Sequence, residues 1–429
     1  MRKISKLSLV AAVAVAGFST ANAQPLEEAI KNVEVSGSVV YRYNDAKAKD
    51  KLNGQTISEN ADVNNNYKIA LNLSSKVNDY VKFNSRFIVG GADSGFARLD
   101  TTDNGDQNVD VTLSNAYFAL TAIPNTTVNV GKQGLTTPWT VAVDSDGNEQ
   151  TGTGVLALTT VGPVTGAAGY FNQTNLGKSG NGLPSLNSYT ANTGLVVTGP
   201  GAGGTVLLGT TPNDDFGGKD IAVVGLIGDL DFVKLDAWYL NMDDVFDTYS
   251  LSAKANFDLA ENAKIGLEAR YVQLELEDEV ATALGRDDKN SMFRFAVDGK
   301  VSIVNAKVAY TTTDKKGGLT ALDNDAQNTT LGWNLTSNNT FDADYWQGVI
   351  GVDILDNLNL SANYGQIKHK EGNFAGADTL KDKEYYAQLT YKMSKNLNTY
   401  VRYGKLEEKV NGDKQVDDTV GRLQVEYTF

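Results

Sequence analysis

The sequence predicts an all-β fold: a transmembrane antiparallel β-barrel of about 18 strands, with short turns at one end and long loops at the other. Three observations predict it. Apolar and polar residues alternate with a period of two from end to end, which gives each strand one greasy and one wet face. The N-terminus is built like an export signal. No later stretch approaches the roughly 20 apolar residues of a membrane helix, and mean hydropathy is −0.29.

The elements follow in order. Arg2, Lys3 and Lys6 precede the short apolar run 7–18, and Ala21-Asn22-Ala23 supplies small residues for cleavage. Residues 1–23 therefore read as a signal peptide and 24–429 as the barrel. Residues 24–31 read as a short helical turn. The first strand alternates through Val33, Val35, Val39, Tyr41 and Tyr43. Tyr67, Ile69, Leu71 and Leu73 continue the pattern, as do Tyr249, Leu251, Ala253, Ala255 and Phe257. Tyr385, Ala387, Leu389 and Tyr391 face away from Glu384, Tyr386, Gln388 and Thr390. In the last strand Leu423, Val425, Tyr427 and Phe429 oppose Arg422, Gln424, Glu426 and Thr428. These outward sets are expected to face lipid.

Short connections are expected at 76–79, 123–125, 355–357 and 394–396. Long polar ones are expected at 45–63, 92–108, 134–152, 174–189, 277–290, 314–343 and 369–382. Short periplasmic turns and long external loops are the bacterial pattern, with an even strand number. Two Gly-rich segments, 192–199 and 204–210, are apolar on both faces. They form either a hairpin within an external loop or two more strands, so 18 strands are expected and 20 is the alternative. After Arg270 the apolar phase flips, since Val272, Leu274 and Leu276 break the register of Ile265, Leu267 and Ala269. A bulge, or a strand rising above the bilayer, is the expected cause.

Composition excludes several classes. The chain holds 52 acidic and 38 basic residues, for a formal net charge of −14. Such a chain is a poor partner for nucleic acid and a plausible host for cations. With no cysteine there is neither a disulfide nor a thiol nucleophile. His369 is the only histidine; beside Lys368 and Lys370 at a loop edge it offers no Ser-His pair. Gly201-Ala202-Gly203-Gly204 lacks the helix that a phosphate-binding loop requires. No enzyme is expected.

Several motifs resemble one family. Pro25-Leu26-Glu27-Glu28-Ala29-Ile30 follows the leader and precedes Val35-Ser36-Gly37 and Tyr41-Arg42-Tyr43. Asn129-Val130-Gly131-Lys132-Gln133 leads to Thr137-Pro138 and Thr151-Gly152-Thr153-Gly154. Trp238-Tyr239, Asp244-Val245-Phe246-Asp247 and the final Val425-Glu426-Tyr427-Thr428-Phe429 complete the set. Together they resemble the major outer membrane protein (MOMP) porins of Campylobacter and its relatives. The resemblance implies an 18-stranded homotrimeric general porin in the bacterial outer membrane, among lipid and lipopolysaccharide. It also implies a preference for cations and a divalent ion, Ca2+, at the constriction.

Porins narrow their lumen by folding one external loop inward, and 134–152 is the candidate. It carries Asp144, Asp146 and Glu149, three carboxylates in six residues, which would line a cation pathway. A solvated acidic turn is the plain alternative. The segment Asp144-Ser145-Asp146-Gly147 also presents hard oxygens as calcium loops do. It lacks the twelfth-position glutamate of an EF-hand, so Asp144 and Asp146 would need oxygens from elsewhere in the lumen. Arg42, Arg86, Lys132, Arg270, Arg294 and Arg402 are the candidate basic wall. On a lipid face near the midplane each would cost about 2–4 kcal/mol, so all are expected inside. Facing the acidic loop they would set up a transverse field; the alternative is that they merely pair with neighbouring acids. A general diffusion porin for small hydrophilic solutes and cations is therefore expected. The alternatives are a substrate-specific channel, for which Trp139, Trp238 and Trp346 are too scattered to form a ladder, and an adhesin or structural barrel with a closed lumen.

Overall fold

A computed structural model describes residues 33–91, 94–99, 109–176, 195–196, 207–208, 216–283, 287–372 and 376–429. The leader and the turn at 24–31 lie outside them. So do most of 92–108 and 174–189 and of the Gly-rich segments.

Eighteen strands make the barrel. They are β1 (Val33–Leu52), β2 (Gln55–Asn78), β3 (Val81–Gly90), β4 (Asp110–Leu120), β5 (Thr126–Gly134) and β6 (Thr151–Val161). Next come β7 (Val164–Thr174), β8 (Ile221–Leu230), β9 (Val233–Met242), β10 (Phe246–Ala260), β11 (Ala263–Leu276) and β12 (Lys289–Val301). The last six are β13 (Val304–Thr313), β14 (Phe341–Leu355), β15 (Leu358–Lys370), β16 (Thr379–Lys392), β17 (Leu397–Val410) and β18 (Asp413–Thr428). Each pairs antiparallel with its neighbours, and β18 closes on β1 from Ser38↔Thr428 to Asp50↔Val416. Gly37 and Phe429 exchange two backbone hydrogen bonds, at 2.9 and 3.1 Å, which seals the seam at the short-turn end. An extra two-residue strand, Ala97–Arg98, pairs with Asn66 and Tyr67.

The strand count settles at 18 because β7 pairs directly with β8, Phe171 opposite Ile221. The described residues of the Gly-rich segments, Leu195–Val196 and Leu207–Leu208, form a small ladder separate from the barrel sheet. The last strand has the expected phase: Tyr427, Val425 and Leu423 lie opposite Val39, Tyr41 and Tyr43. The outer face of β9–β17 carries an exposed aromatic row that includes Tyr239, Tyr249, Phe293, Trp346, Tyr364, Tyr385 and Tyr403, the girdle of an outer-membrane barrel.

Two sequence expectations need correction. The segment 45–63 is not a long loop. It is the upper half of one tall hairpin, paired from Val33↔Ser75 to Leu52↔Gln55. The turn residues Asn53 (φ 51°) and Gly54 (φ 78°) are both left-handed, as a two-residue type I′ hairpin requires. The phase flip after Arg270 is not a bulge. The β10–β11 ladder runs unbroken through Ser252↔Arg270, Leu251↔Tyr271 and Ser250↔Val272. Val272, Leu274 and Leu276 simply point inward, where they are at most 2% exposed. They meet an apolar cluster built with Leu135, Trp139, Leu319 and Leu322, all from connections folded into the lumen.

Candidate channel constriction

Among the described residues two long connections meet inside the barrel; the sequence singles out 134–152, with 174–189 as the alternative, and not the second of the two. The first, 135–150, joins β5 to β6; the second, 314–340, joins β13 to β14. They meet inside. Leu322 N–H donates to the Trp139 carbonyl at 2.8 Å, Asn328 N–H to that of Pro138 at 2.9 Å, and Ser145 N–H to Asp325 Oδ2 at 2.7 Å. Trp139 is fully buried and its indole N–H donates to Thr248 Oγ1 at 2.9 Å. An apolar plug edge fastened by a buried hydrogen bond explains why these segments leave solvent: four apolar residues of two loops reach the inward face of β8–β11.

The three predicted carboxylates take three different positions. Glu149 is 1% exposed. Its carboxylate accepts from Arg86 Nε (3.0 Å to each oxygen) and Nη2 (2.8 Å), from Lys68 Nζ (2.9 Å) and from Ser114 Oγ. Ser114 is the extra residue of a β4 bulge beside Arg86 and Phe87, which aims it at the loop. Burial pushes the Glu149 carboxyl up, but Arg86 and Lys68 hold it below the ordinary glutamate value. Glu149 therefore fastens the loop to the wall. Asp144 folds the loop on itself, accepting from the Asn148 backbone (2.8 Å) and side-chain amide (2.9 Å). The turn needs Gly147, at φ +84°, where a Cβ would meet the Phe96 ring at 2.4 Å. Asp146 alone looks into the lumen. Its side chain is 51% exposed and lies 3.7 Å from Arg42 Nη1 and 3.8 Å from Arg422 Nη2.

Asp144 meets the second connection instead of Asp146. Asp144, Asp323 and Asp325 each place a carboxylate oxygen within 4.8 Å of the others. Asp323 is buried, and its Oδ2 has no hydrogen-bond partner. Burial, with Asp144 and Asp325 alongside, pushes the Asp323 carboxyl up to about 8; burial also raises Asp144. A hard divalent cation fits this set of oxygens and one unsatisfied acceptor.

The basic residues also sort by contact. Arg42 holds the first loop through the Ser145 carbonyl at 2.7 Å and stacks on Phe96 at 4.2 Å. Arg86 holds it through Glu149. Arg270 is 1% exposed and donates to Asn328 Oδ1 and Gln327 Oε1, both at 3.0 Å, so it anchors the second connection. Arg294 does the same through the Thr329 carbonyl at 2.6 Å and pairs with Glu268. Lys132 departs from the expectation of an inward position. The ladder puts it opposite Ala116 and Thr153, in phase with Val130 and Phe118 of the outer face, and its ammonium reaches the Leu113 carbonyl at 2.7 Å. Arg402 stays at the lumen surface.

What remains is an eyelet. A cavity of about 360 Å³ is lined by Asp146 and Asp325 on one side and by Arg402, Arg422 and Arg294 on the other, with Trp333 and Tyr386. Asp323, Asp325 and Trp333 were missed in the sequence. The one signal was Leu319-Thr320-Ala321-Leu322, an apolar run in a segment otherwise read as an exposed loop.

A closed, lipid-girdled barrel narrowed from within is an outer-membrane porin, a channel. Searches among solved structures agree on the fold. OpdL of Pseudomonas aeruginosa matches with a TM-score of 0.66 at 15% identity, over 92% of this chain and 99% of that one. OpdQ of the same organism matches at 0.62 and 15% identity, over 92% and 98%, and OccK2 (OpdF) in complex with glucuronate at 0.64 and 13%, also over 92% and 98%. No curated protein matches the sequence. The family model described as Campylobacter major outer membrane protein matches residues 1–429, and the chain belongs to that family.

Proposed function

We propose that this protein is a general diffusion porin with a modest preference for cations, working as a homotrimer with a divalent cation at its eyelet. The observation that carries the reading is the eyelet itself, acidic on the side of the two inner connections and basic on the strand side. Mobile ions sample the net field of the narrowest zone. Asp144, Asp146 and Asp325 stand against Arg42, Arg402 and Arg422, since Arg270, Arg294 and Arg86 are matched by Asp236, Glu268 and Glu149; the formal net charge of −14 on the chain adds a field that favours cations. Cations gain, and the arginines keep the gain small.

Asp144, Asp323 and Asp325 would hold the divalent ion, which supports the calcium expectation with a different partner set. When bound, the ion supplies positive charge that neutralises the crowded carboxylates and cross-links the two connections. The trimer reading is supported by the outer face of β4–β6. Beside Phe118 it carries the small or polar Ala116, Lys132 and Thr153, and Lys132 against lipid would cost about 2–4 kcal/mol.

Reversal potentials in a KCl gradient test the function. Cation selectivity in the wild type, reduced in Asp146→Asn, is expected. Anion selectivity in the wild type would overturn the reading.

A further inference from the structure

One arginine at the eyelet meets the inner connections through an aromatic ring and not through a carboxylate. Arg42 and Arg422 lie against Asp146, and Arg294 pairs with Glu268. Among the described residues no such pair involves Arg402. Its Nε donates to Gln388 Oε1 at 2.7 Å. Its guanidinium carbon lies 4.9 Å from the Trp333 ring centre, 5.1 Å from that of Tyr386 and 5.3 Å from that of Tyr400. Aromatic faces hold a cation without cancelling its charge. Arg402 thus keeps both its charge and the outer end of its planar fork for the cavity.

The box around it is built with care from buried parts. Glu384, 2% exposed, accepts the Trp333 N–H at 2.9 Å and the Asn334 N–H at 2.7 Å. Those bonds fix Trp333, which meets Tyr386 edge-on at 5.3 Å. Gly332 makes room for them, since a Cβ there would come within 1.6 Å of Glu384 Oε1. Asp146 lines the same cavity with a half-exposed carboxylate.

A guanidinium fork takes a carboxylate with two parallel bonds. A solute bearing only a carboxylate, however, also meets Asp146 and Asp325, and one bearing only an ammonium meets Arg402 and Arg422. A small molecule with both groups is opposed by neither. The cavity of about 360 Å³ is at the small end of ligand sites, roughly 300–1,000 Å³. We propose that the eyelet is a subsite for small zwitterions, amino acids and dipeptides, with the carboxylate on Arg402 and the ammonium toward Asp146. The proposal rests on the reading of the two inner connections as the constriction.

The test uses single-channel KCl currents with glycylglycine, glycinamide or N-acetylglycine added at equal concentration. Glycylglycine is expected to interrupt the wild-type current more strongly than either singly charged solute. Arg402→Gln should weaken the glycylglycine effect about tenfold, the value of one lost charge-assisted contact. Arg402→Lys, which keeps the charge but not the fork, should fall between, and it carries the variant arm if Arg402→Gln fails to assemble. Equal interruption by glycinamide, or an effect of glycylglycine untouched by either substitution, would overturn the subsite. The underlying reading fails separately: if Asp146→Asn leaves the reversal potential unchanged, the connections lie outside the conduction path and both proposals fall.

Discussion

Glu149→Gln isolates the fastening of the first inner loop from its charge at the pore. Glu149 and Lys68 have side chains 2% and 6% exposed, and Arg86 is 18% exposed. Five hydrogen bonds converge on the one carboxylate. A neutral amide of the same shape cannot accept all of them, and it leaves two buried cations uncompensated. Removing one partner of a buried ion pair costs about 3–5 kcal/mol. The loss stays local, because the Arg42 bond to Ser145, the Trp139 bond to Thr248 and the Leu322 bond to Trp139 remain. The loop should therefore loosen at 144–150 without leaving the lumen. The barrel, held by ladder bonds and a sealed seam, should melt as before. Single-channel recordings are expected to show greater open-channel noise and altered conductance, with an unchanged melting transition. A variant as quiet as the wild type, at the same conductance, would refute the tether.

Other outcomes follow from the same contacts. Because the Glu149 carboxyl sits below its ordinary value of 4.5, the tether is fully present above that pH and is lost as pH falls through the lower, folded-state value; noise that sets in near neutrality would contradict this. Chelation of divalent ions should raise cation preference by unmasking Asp144, Asp323 and Asp325, whereas Asp146→Asn should lower it, so reversal potentials that move the same way under both treatments would sink the metal assignment. Trp139→Ala should cost about 3–5 kcal/mol of loop attachment through the cavity it leaves, read as faster proteolysis of the inner loop in an intact barrel; resistance equal to the wild type would deny the apolar anchor.

The sequence by itself determined the barrel. Period-two alternation is a local property, so the strand faces and the outward set Leu423, Val425 and Tyr427 were readable residue by residue. The even strand number, the family and the importance of 134–152 were readable too. The hairpin extension carries its own sequence signal in Asn53-Gly54, a two-residue turn hidden within a polar run that otherwise reads as a loop.

Only the tertiary structure decided what each charge does. Asp144, Asp146 and Glu149 fall within six residues, yet one folds a turn, one faces the lumen and one is buried against Lys68 and Arg86. Asp144 is held by Asn148 four residues on, but Glu149 depends on Arg86, 63 residues away, and on Lys68, 81 away. The flip at Val272 likewise made sense only with Trp139, Leu319 and Leu322 beside it, because a strand pattern records polarity and not what fills the space it faces. Lys132 shows the same limit from the other side. A charge near the membrane midplane argues for an inward position until the ladder fixes its phase, and phase is set by pairing with Ala116 and Thr153 rather than by the residue itself.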